Sequence, residues 1–493
     1  MALSFHVKAH QCCRPPCRRR AHDGARADGV LAYDPSTFEG LRFHTATPAF
    51  RDGTDSPREY LERCLATIAE REPVVRAWVV LNEDGARAQA DASTERWRRG
   101  EPLSPVDGLP IGIKDLLETR DMPTRMGCAA FAGNFPKRDN AAVWALRQAG
   151  AVVLGKTATT ELGGPEPSPT TNPFDPRHTP GGSSSGSGAA VGARMVPATI
   201  ATQTGGSLMR PASFNGAWGL KPSQGAINRG ERQTASMTSH GVLAACPEDM
   251  WLVAIAIASR AGGDPGRPAL HGPAAPPPAR RPGTVAVIET ETWERLDPVS
   301  RDAFEQVVAQ VEAAGVAVLR RAADPMVERV ERSLVGVTDL GSGILAWEHS
   351  WAFRDVVAND ADAVSARGKR FFLEAAERLG AAGYEEALRT RAAVQATYAL
   401  LGPRADAVIA PTSSGPAPVW SGDVPGQPPV PWPTGDPGFN FPSSLLGAPA
   451  VNVPLMGVGG LPFGLQVMGQ PGTDARTTAI ARWMGETLTP VGV

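Results

Sequence analysis

The chain has 493 residues, 42% of them apolar and 20% charged, and its formal net charge is −2. A chain of that length and apolar content can bury a sizeable hydrophobic core. The near balance of acidic and basic residues argues against binding to nucleic acid or to an anionic membrane surface. Apolar runs such as residues 251–258 are far too short to cross a bilayer. We therefore expect a globular protein with no nucleic-acid partner and no membrane partner.

Residues 1–55 are predicted to form a poorly ordered N-terminal extension, because the first 50 are rich in Arg, His, Pro and Cys. The basic residues are not followed by the apolar core of a signal peptide, and a transit peptide is the weaker alternative. A metal site is a second alternative to a disordered tail. Its ligands would be His6, His10, Cys12, Cys13 and Cys17.

Six cysteines in so long a chain do not form the dense disulfide framework of a small secreted domain. Outside the N-terminal extension, Cys64, Cys128 and Cys246 are most simply small buried side chains. We therefore expect a reduced, cytoplasmic setting.

The globular part begins at Ser56, Pro57 and Glu59, which combine an N-cap serine, a proline in the first helical turn and a capping-box glutamate. Further helices are predicted at residues 84–99, 140–150, 247–258, 297–314 and 474–488, and a largely helical region at 325–400. Strands are predicted at residues 108–115, 151–154, 284–288, 316–319, 407–410, 450–455 and 461–468, with a strand and turn at 194–204. Residues 155–192 are predicted to be loops, and the Gly/Pro/Ala-rich residues 261–283 a connector. The alternation of strands and helices favours a layered α/β fold.

Two short motifs match well-known patterns in the wrong structural context. Residues 150–157 fit the phosphate-binding pattern G-x-x-x-x-G-K-T, but their middle is an apolar β-branched run that follows a helix. Residues 182–186 fit the nucleophile elbow G-x-S-x-G around Ser184, but the proline-rich residues before them cannot form the strand that an elbow requires. We therefore expect neither nucleotide binding nor a Ser–His–Asp hydrolase. A flexible Gly/Ser linker is an equally weak interpretation of residues 181–190.

Three stretches carry a resemblance to a known family. They are a strand that ends in Lys114-Asp115, the Gly/Ser run of residues 181–190, and Thr204-Gly205-Gly206-Ser207 with the residues up to Pro222. Together they resemble the signature block of the amidase signature family, and the resemblance extends over residues 57–493. It implies one domain over residues 56–493, with a central mixed β-sheet covered by helices on both faces. It also implies a hydrolase that acts on C–N bonds other than peptide bonds, without a metal or an organic cofactor.

The resemblance assigns a catalytic triad to Lys114, Ser183 and Ser207, with a cis peptide bond between Gly182 and Ser183. A serine hydroxyl needs a base, and a lysine can be that base only when its amine is neutral. Burial among apolar side chains disfavours the charged amine and could supply the required lowering of the pKa. The alternative for Lys114 is an ordinary ion pair with the neighbouring Asp115.

In the implied mechanism, Ser207 attacks the carbonyl carbon and Ser183 relays the proton from Ser207 to Lys114. The backbone N–H groups of residues 204–207 would face the oxyanion, and two successive glycines let that backbone approach the substrate closely. Thr204, Gly205, Gly206 and Ser184 are therefore the predicted oxyanion and substrate-binding residues, with Ser184 as a hydrogen-bond partner.

The sequence departs from the family pattern beside the nucleophile. Many members carry Asp and Arg where this chain has Gln203 and Met209, and losing both charges together avoids leaving one of them buried and unpaired. Arg210 could supply a shifted guanidinium, and Ser185 replaces a usual glycine. These changes leave substrate preference open.

The substrate pocket is predicted less closely than the triad. Residues 325–400 correspond to the variable substrate region of relatives, and their aromatic residues either line an aromatic-accepting pocket or belong to the core. Phe439 is a candidate for the pocket wall, with core packing as the equal alternative. The aromatic candidates in the helical region are Trp347, Trp351, Phe353, Phe371 and Phe372.

Two functions from different classes follow from the resemblance. The first is a stand-alone amidohydrolase that cleaves a small-molecule carboxamide, anilide or carbamate, with a homodimer left open. The second is the glutaminase-type subunit of a tRNA-dependent amidotransferase complex, which works with partner chains. A family member used only as a binding scaffold is a third alternative, which an intact triad disfavours.

Overall fold

A mixed β-sheet of 12 strands organises the computed structural model, which describes residues 32–230 and 235–493. The strand order is β1-β3-β2-β4-β6-β5-β10-β11-β9-β7-β8, and β12 pairs with β10. Strand β2 runs parallel to both β3 and β4, whereas β4, β6, β5, β10, β11 and β9 are joined by antiparallel pairs. The strands are β1 (Trp78–Leu81), β2 (Pro110–Lys114), β3 (Val152–Thr157), β4 (Ala198–Gln203), β5 (Trp218–Lys221), β6 (Ser239–Ala244), β7 (Thr284–Val287), β8 (Ala317–Leu319), β9 (Ala407–Pro411), β10 (Ala450–Val458), β11 (Leu461–Met468) and β12 (Val491–Gly492).

Helices surround this sheet, and the longest of them lie in the second half of the chain. The helices are α1 (Thr47–Asp52), α2 (Pro57–Val75), α3 (Glu83–Arg98), α4 (Ala141–Gln148), α5 (Ser185–Gly192), α6 (Met209–Phe214), α7 (Pro247–Ala261), α8 (Pro298–Ala313), α9 (Pro325–Ser333), α10 (Val337–Asn359), α11 (Ala366–Lys369), α12 (Ala375–Ala399), α13 (Phe441–Leu445) and α14 (Asp474–Thr487). A π-helical turn, Arg370–Glu374, joins α11 to α12. Within the described ranges, every helix is too short or too polar to span a bilayer.

Both faces of the sheet are covered, as the alternation of side chains in its central strands shows. Ile200 of β4 and Val242 of β6 belong to one hydrophobic core, and their neighbours Ala201 and Leu243 belong to another. Because successive side chains of a strand point to opposite faces, these two cores lie on opposite sides of the sheet. The predicted fold class, a mixed sheet with helices on both faces, is therefore confirmed.

Local sequence signals position most of these elements. The Ser56 side chain caps α2 by accepting a hydrogen bond from the Glu59 amide, as its capping box predicts. Asn140 and Asp297 cap α4 and α8 in the same way. The predicted helices and strands are found within a few residues of their predicted bounds, and no helix or strand is assigned between α7 and β7.

The predicted boundary of the N-terminal extension is wrong for residues 32–55. Phe43 and Phe50 are buried in the core, and the Asp249 carboxylate accepts the backbone N–H of Phe43 at 2.7 Å. Burial of two aromatic rings and satisfaction of the backbone attach this segment to the domain. Residues 1–31, and with them the suggested metal ligands between His6 and Cys17, lie outside the described residues. Cys64, Cys128 and Cys246 are buried free cysteines, as predicted.

The Gly/Ser run is helical at its end, and its prediction as part of a loop region is wrong there. Helix α5 is buried along its whole length, and its glycines lie where neighbouring backbone comes very close. A Cβ atom on Gly186 would lie 2.1 Å from the carbonyl oxygen of Ala77 and 2.4 Å from the amide nitrogen of Ala158. Glycine has a low helix propensity, but here tertiary packing requires it.

We expect Gly186→Ala to destabilise the protein, because the new methyl group meets backbone atoms that cannot move aside. The expected loss of unfolding free energy is about 1–3 kcal/mol. Gly133→Ala is the matched control, since nothing lies within 4 Å of its added Cβ. Urea denaturation of the two variants measures the difference, and equal stabilities would contradict this account of α5.

Candidate active site

Lys114 is the last residue of β2, at the centre of the sheet, and its amine contacts two hydroxyl groups. The Nζ atom donates to Ser183 Oγ at 2.8 Å and to Thr202 Oγ1 at 2.9 Å. Ser183 stands just before α5, and Thr202 lies near the end of β4, which pairs with β2 in parallel. The sheet register and the start of one buried helix therefore bring these three side chains together.

The Lys114 amine is completely buried and has no carboxylate within ion-pair distance among the described residues. The alternative that Lys114 pairs with Asp115 is wrong, because Asp115 pairs with Lys156 at 3.0 Å. Burial lowers the pKa of Lys114 well below its usual value, and the charge of Arg210 lowers it further. A lysine in this setting favours the neutral amine.

Arg210 is the charged group that acts on Lys114. Its side chain is buried, with Nη2 donating to the carbonyl oxygen of Gly182 at 2.8 Å and Nε donating to that of Thr434 at 3.1 Å. No carboxylate in residues 32–230 or 235–493 lies within ion-pair distance of it. Burial lowers the pKa of the guanidinium to about 10, so that Arg210 stays positive at neutral pH.

The two serine-bearing turns are joined directly. The peptide bond between Gly182 and Ser183 is cis, as the resemblance implied. The amide of Ser184 donates to the carbonyl oxygen of Ser207 at 3.2 Å, and the hydroxyl of Ser184 donates to that of Thr202 at 3.3 Å. Ser183 and Ser207 both line one cavity, and Ser207 is the more exposed of the two. Ser184 faces away from solvent as a bracing hydrogen-bond partner.

The turn of residues 204–207 presents its backbone to the same cavity. The amides of Gly205, Gly206 and Ser207 donate to no acceptor in the part of the chain that the structure describes. The ring of Phe441 packs against Gly205, where an added Cβ would lie 2.9 Å from it. Unpaired backbone N–H groups beside a serine hydroxyl are suited to stabilising a developing negative charge.

Gln203 holds this turn in place, a role that the sequence did not reveal. Its Oε1 atom accepts the backbone N–H groups of Leu208 and Met209 at 3.1 and 3.0 Å. Its Nε2 atom donates to the hydroxyls of Ser443 and Ser444 at 3.2 and 3.3 Å. A neutral amide therefore satisfies four neighbours without a charged partner at position 209.

The cavity has a volume of about 1400 Å³ and two unlike walls. One is polar and comes from β6 and the residues around Arg229, and the other is aromatic and comes from α10 and the π-helical turn. Of the predicted aromatic residues, Trp351, Phe353, Phe371 and Phe372 line it, and Trp347 lines a separate pocket. Phe439 belongs to the core, so that its core alternative is correct, and Phe441 lines the wall instead.

The two misleading motifs are structural. Residues 152–157 are the buried strand β3, and the amine of Lys156 binds Asp115 and donates to Thr124 Oγ1 at 2.7 Å. The hydroxyl of Ser184 is engaged with a backbone carbonyl and is fully buried. Neither has the geometry of a phosphate-binding loop or of a nucleophile elbow.

One group of side chains in the described ranges has metal-ligand chemistry, namely His44, Cys246 and Glu248, with donor atoms within 4.8 Å of one another. Each of them is otherwise engaged. His44 lies 3.3 Å from the Asp249 carboxylate, Cys246 caps α7, and Glu248 binds Arg482 at 2.9 Å. None of the three lines the large cavity, so they have no part in its chemistry.

A fold of this kind with a buried lysine–serine contact defines a hydrolase of carbon–nitrogen bonds. The family model named Amidase matches residues 59–478, and the chain accordingly belongs to the amidase signature family. A crystal structure of an amidase has a TM-score of 0.77 at 28% identity and covers 91% of this chain and 100% of that chain.

Two relatives show how broad the similarity is. AmiA2 of Mycobacterium tuberculosis, which carries an amidase name, is 30% identical over 471 residues, which cover 90% of this chain and 92% of that protein. A glutamyl-tRNA(Gln) amidotransferase subunit from Chloroflexus aggregans is 45% identical over 192 residues, which cover 38% of this chain. That alignment spans only 39% of the length of the Chloroflexus protein.

We expect Lys156→Met to destabilise the protein strongly, because it leaves the buried Asp115 carboxylate without its partner. The expected loss is about 3–5 kcal/mol of unfolding free energy. The double variant Asp115→Asn/Lys156→Met removes both charges and should recover much of that loss. Denaturant unfolding of the single and double variants measures this, and a double variant as unstable as the single one would show that the ion pair is not the cause.

Proposed function

We propose that this chain is an amidohydrolase that cleaves a carboxamide, anilide or carbamate through an acyl-enzyme on Ser207. The observation that carries the proposal is the 2.8 Å contact from Lys114 Nζ to Ser183 Oγ in a fully buried site without a counter-ion. A neutral amine can accept a proton, whereas an ion-paired lysine cannot. No metal or organic cofactor enters the proposed reaction.

The proposed proton path runs through the two serines to the lysine. Ser207 Oγ forms a bond to the carbonyl carbon, its proton passes to Ser183 Oγ, and the proton of Ser183 passes to Lys114 Nζ. When the C–N bond breaks, the same relay returns a proton to the leaving nitrogen. A water molecule then attacks the ester, again losing its proton to the relay, and releases the acid and free Ser207.

The negative charge of the tetrahedral intermediate falls on the carbonyl oxygen, which the turn of residues 204–207 is proposed to bind. The unpaired amides of Gly205, Gly206 and Ser207 supply the donors, and Gln203 fixes the turn from behind. Each such donor is worth about 3 kcal/mol of transition-state stabilisation. The positive charge of Arg210 adds to this field.

The aromatic wall indicates the kind of substrate that the cavity takes. Phe353 and Phe372 stack with their ring centroids 4.0 Å apart, and the His349 ring lies beside them. Burial lowers the pKa of His349, so that this wall carries no charge at neutral pH. We therefore propose an amide with an aromatic or large apolar group on one side of the scissile bond.

The similarity to an amidotransferase subunit supports a second candidate function. Here the same site would hydrolyse a carboxamide side chain and pass the ammonia to a partner protein. The full-length similarity to AmiA2 favours the stand-alone enzyme, because the aligned part of the Chloroflexus protein is much shorter. Turnover of small amides by the isolated chain separates the two functions.

We expect the purified chain to hydrolyse at least one member of a panel of primary amides, anilides and carbamates. Ser207→Ala should abolish turnover, because no nucleophile remains, and Lys114→Ala should lower kcat by several orders of magnitude. Ser259→Ala, at an exposed position of α7, is the control and should leave the rate unchanged. Mass spectrometry of quenched wild type should show the acyl group on Ser207. An active Ser207→Ala variant would refute the assignment.

We expect kcat/KM of the wild type to fall as the pH drops through the pKa of Lys114, because the protonated amine cannot accept a proton. Arg210→Met removes the positive charge that disfavours the protonated amine, so the acid limb of the profile should move to higher pH. Arg260→Met, at another arginine lining the cavity, is the matched control. An unmoved limb in Arg210→Met, or an equal movement in both variants, would contradict the electrostatic role of Arg210.

A further inference from the structure

His240 is a buried histidine in the polar wall of the cavity, and the proton path described above does not use it. It lies on β6 directly opposite Thr202 of β4, and both residues line the cavity. Opposed side chains of an antiparallel pair are close neighbours on one face of the sheet. Because Thr202 accepts a hydrogen bond from Lys114 Nζ at 2.9 Å, His240 lies on the side of the cavity where the proton relay ends.

The imidazole of His240 lacks hydrogen-bond partners. The ring is 7% exposed, and its Nδ1 atom is buried and finds no partner among residues 32–230 and 235–493. No other described group binds Nε2 either. A buried polar group without a partner is costly, and proteins retain it mainly where water or a ligand completes the hydrogen bond.

The neighbouring polar groups of this wall are already satisfied. The Thr204 and Thr238 hydroxyls bind each other at 2.7 Å, and Arg229 binds Asp264 at 2.6 Å and the carbonyl oxygen of Ala235 at 2.6 Å. The ring nitrogens of His240 are therefore the groups left to receive a polar part of a substrate.

His240 is an uncharged hydrogen-bonding group at working pH. Burial, together with the charges of Arg229 and Lys114, lowers its pKa to about 3. A neutral imidazole has one N–H group and one nitrogen that accepts a hydrogen bond. Such a group discriminates by hydrogen bonding and does not recruit an anion.

We propose that His240 contacts the leaving-group nitrogen of the substrate, with its unprotonated ring nitrogen accepting an N–H of the scissile amide. This inference rests on the proposed amidohydrolase function and specifies the leaving-group side of the same site. The bond strengthens as the relay protonates the leaving nitrogen, because a charged donor makes a stronger hydrogen bond than a neutral one. An ester oxygen offers no N–H, so the same contact favours amides over esters of one acid.

The test compares two substrates that differ only at the scissile bond. These are the 4-nitroanilide and the 4-nitrophenyl ester of one acid that the panel of amides identifies. His240→Leu should lower the amide-to-ester ratio of kcat/KM by about tenfold, the effect of losing one hydrogen bond to a group that gains charge. His240→Gln keeps an acceptor and should stay near the wild-type ratio. His271→Leu, at an exposed histidine, is the control.

The ratio separates a substrate contact from a structural role, because misfolding lowers both rates equally and leaves the ratio unchanged. An unchanged ratio in His240→Leu therefore overturns the proposal, as does a Gln variant that loses the ratio as fully as the Leu variant. A wild type that cleaves the ester and the amide while the ratio ignores His240 leaves the amidohydrolase function standing. A wild type that cleaves no amide of the panel refutes that function and this inference with it.

Discussion

A buried amine without a counter-ion is the constraint on which the rest of this site depends. Lys114 would normally be charged, and burying a charged amine is costly unless a partner compensates it. The strand geometry removes the nearest partner, because successive side chains of an extended chain point in opposite directions and Asp115 turns to Lys156 instead. The two adjacent residues thus serve different purposes: one forms a structural ion pair, and the other keeps its amine among hydroxyl groups.

Glycine and small side chains allow the backbone to bring those hydroxyl groups together. Helix α5 packs so closely on its neighbours that Gly186 and Gly188 leave no room for a Cβ atom, and Ser183 stands just before this helix. The Ser184 amide then binds the carbonyl oxygen of Ser207, which links the helix to the glycine turn that follows β4. Local helix propensity would not select such a sequence, so tertiary packing determines its conformation.

The fold was largely predictable from the sequence, and the site was predictable only in part. Caps, apolar periodicity and turn residues located most elements, because these signals are local. The Gly/Ser run was taken for loop because its helix is stabilised by contacts with residues such as Asn215 and Ala77, which are distant in sequence. The same reason hid the partners of Gln203, since Ser443 and Ser444 are more than 200 positions away. Phe439 and Phe441 share one stretch, and only the packing decides which of them reaches the cavity.

The loss of two charges beside the nucleophile changes the electrostatics of the site without weakening its frame. An Asp–Arg pair at positions 203 and 209 would contribute no net charge, whereas Gln203 and Met209 leave the guanidinium of Arg210 as an uncompensated cation. Its nearest carboxylate in effect, Asp436, is bound to Arg295 at 2.6 Å and offsets it only in part. One buried positive charge then disfavours a proton on Lys114 and favours negative charge on the carbonyl oxygen of a substrate. Both effects act in the direction of nucleophilic attack, because that step requires a neutral base and creates an oxyanion.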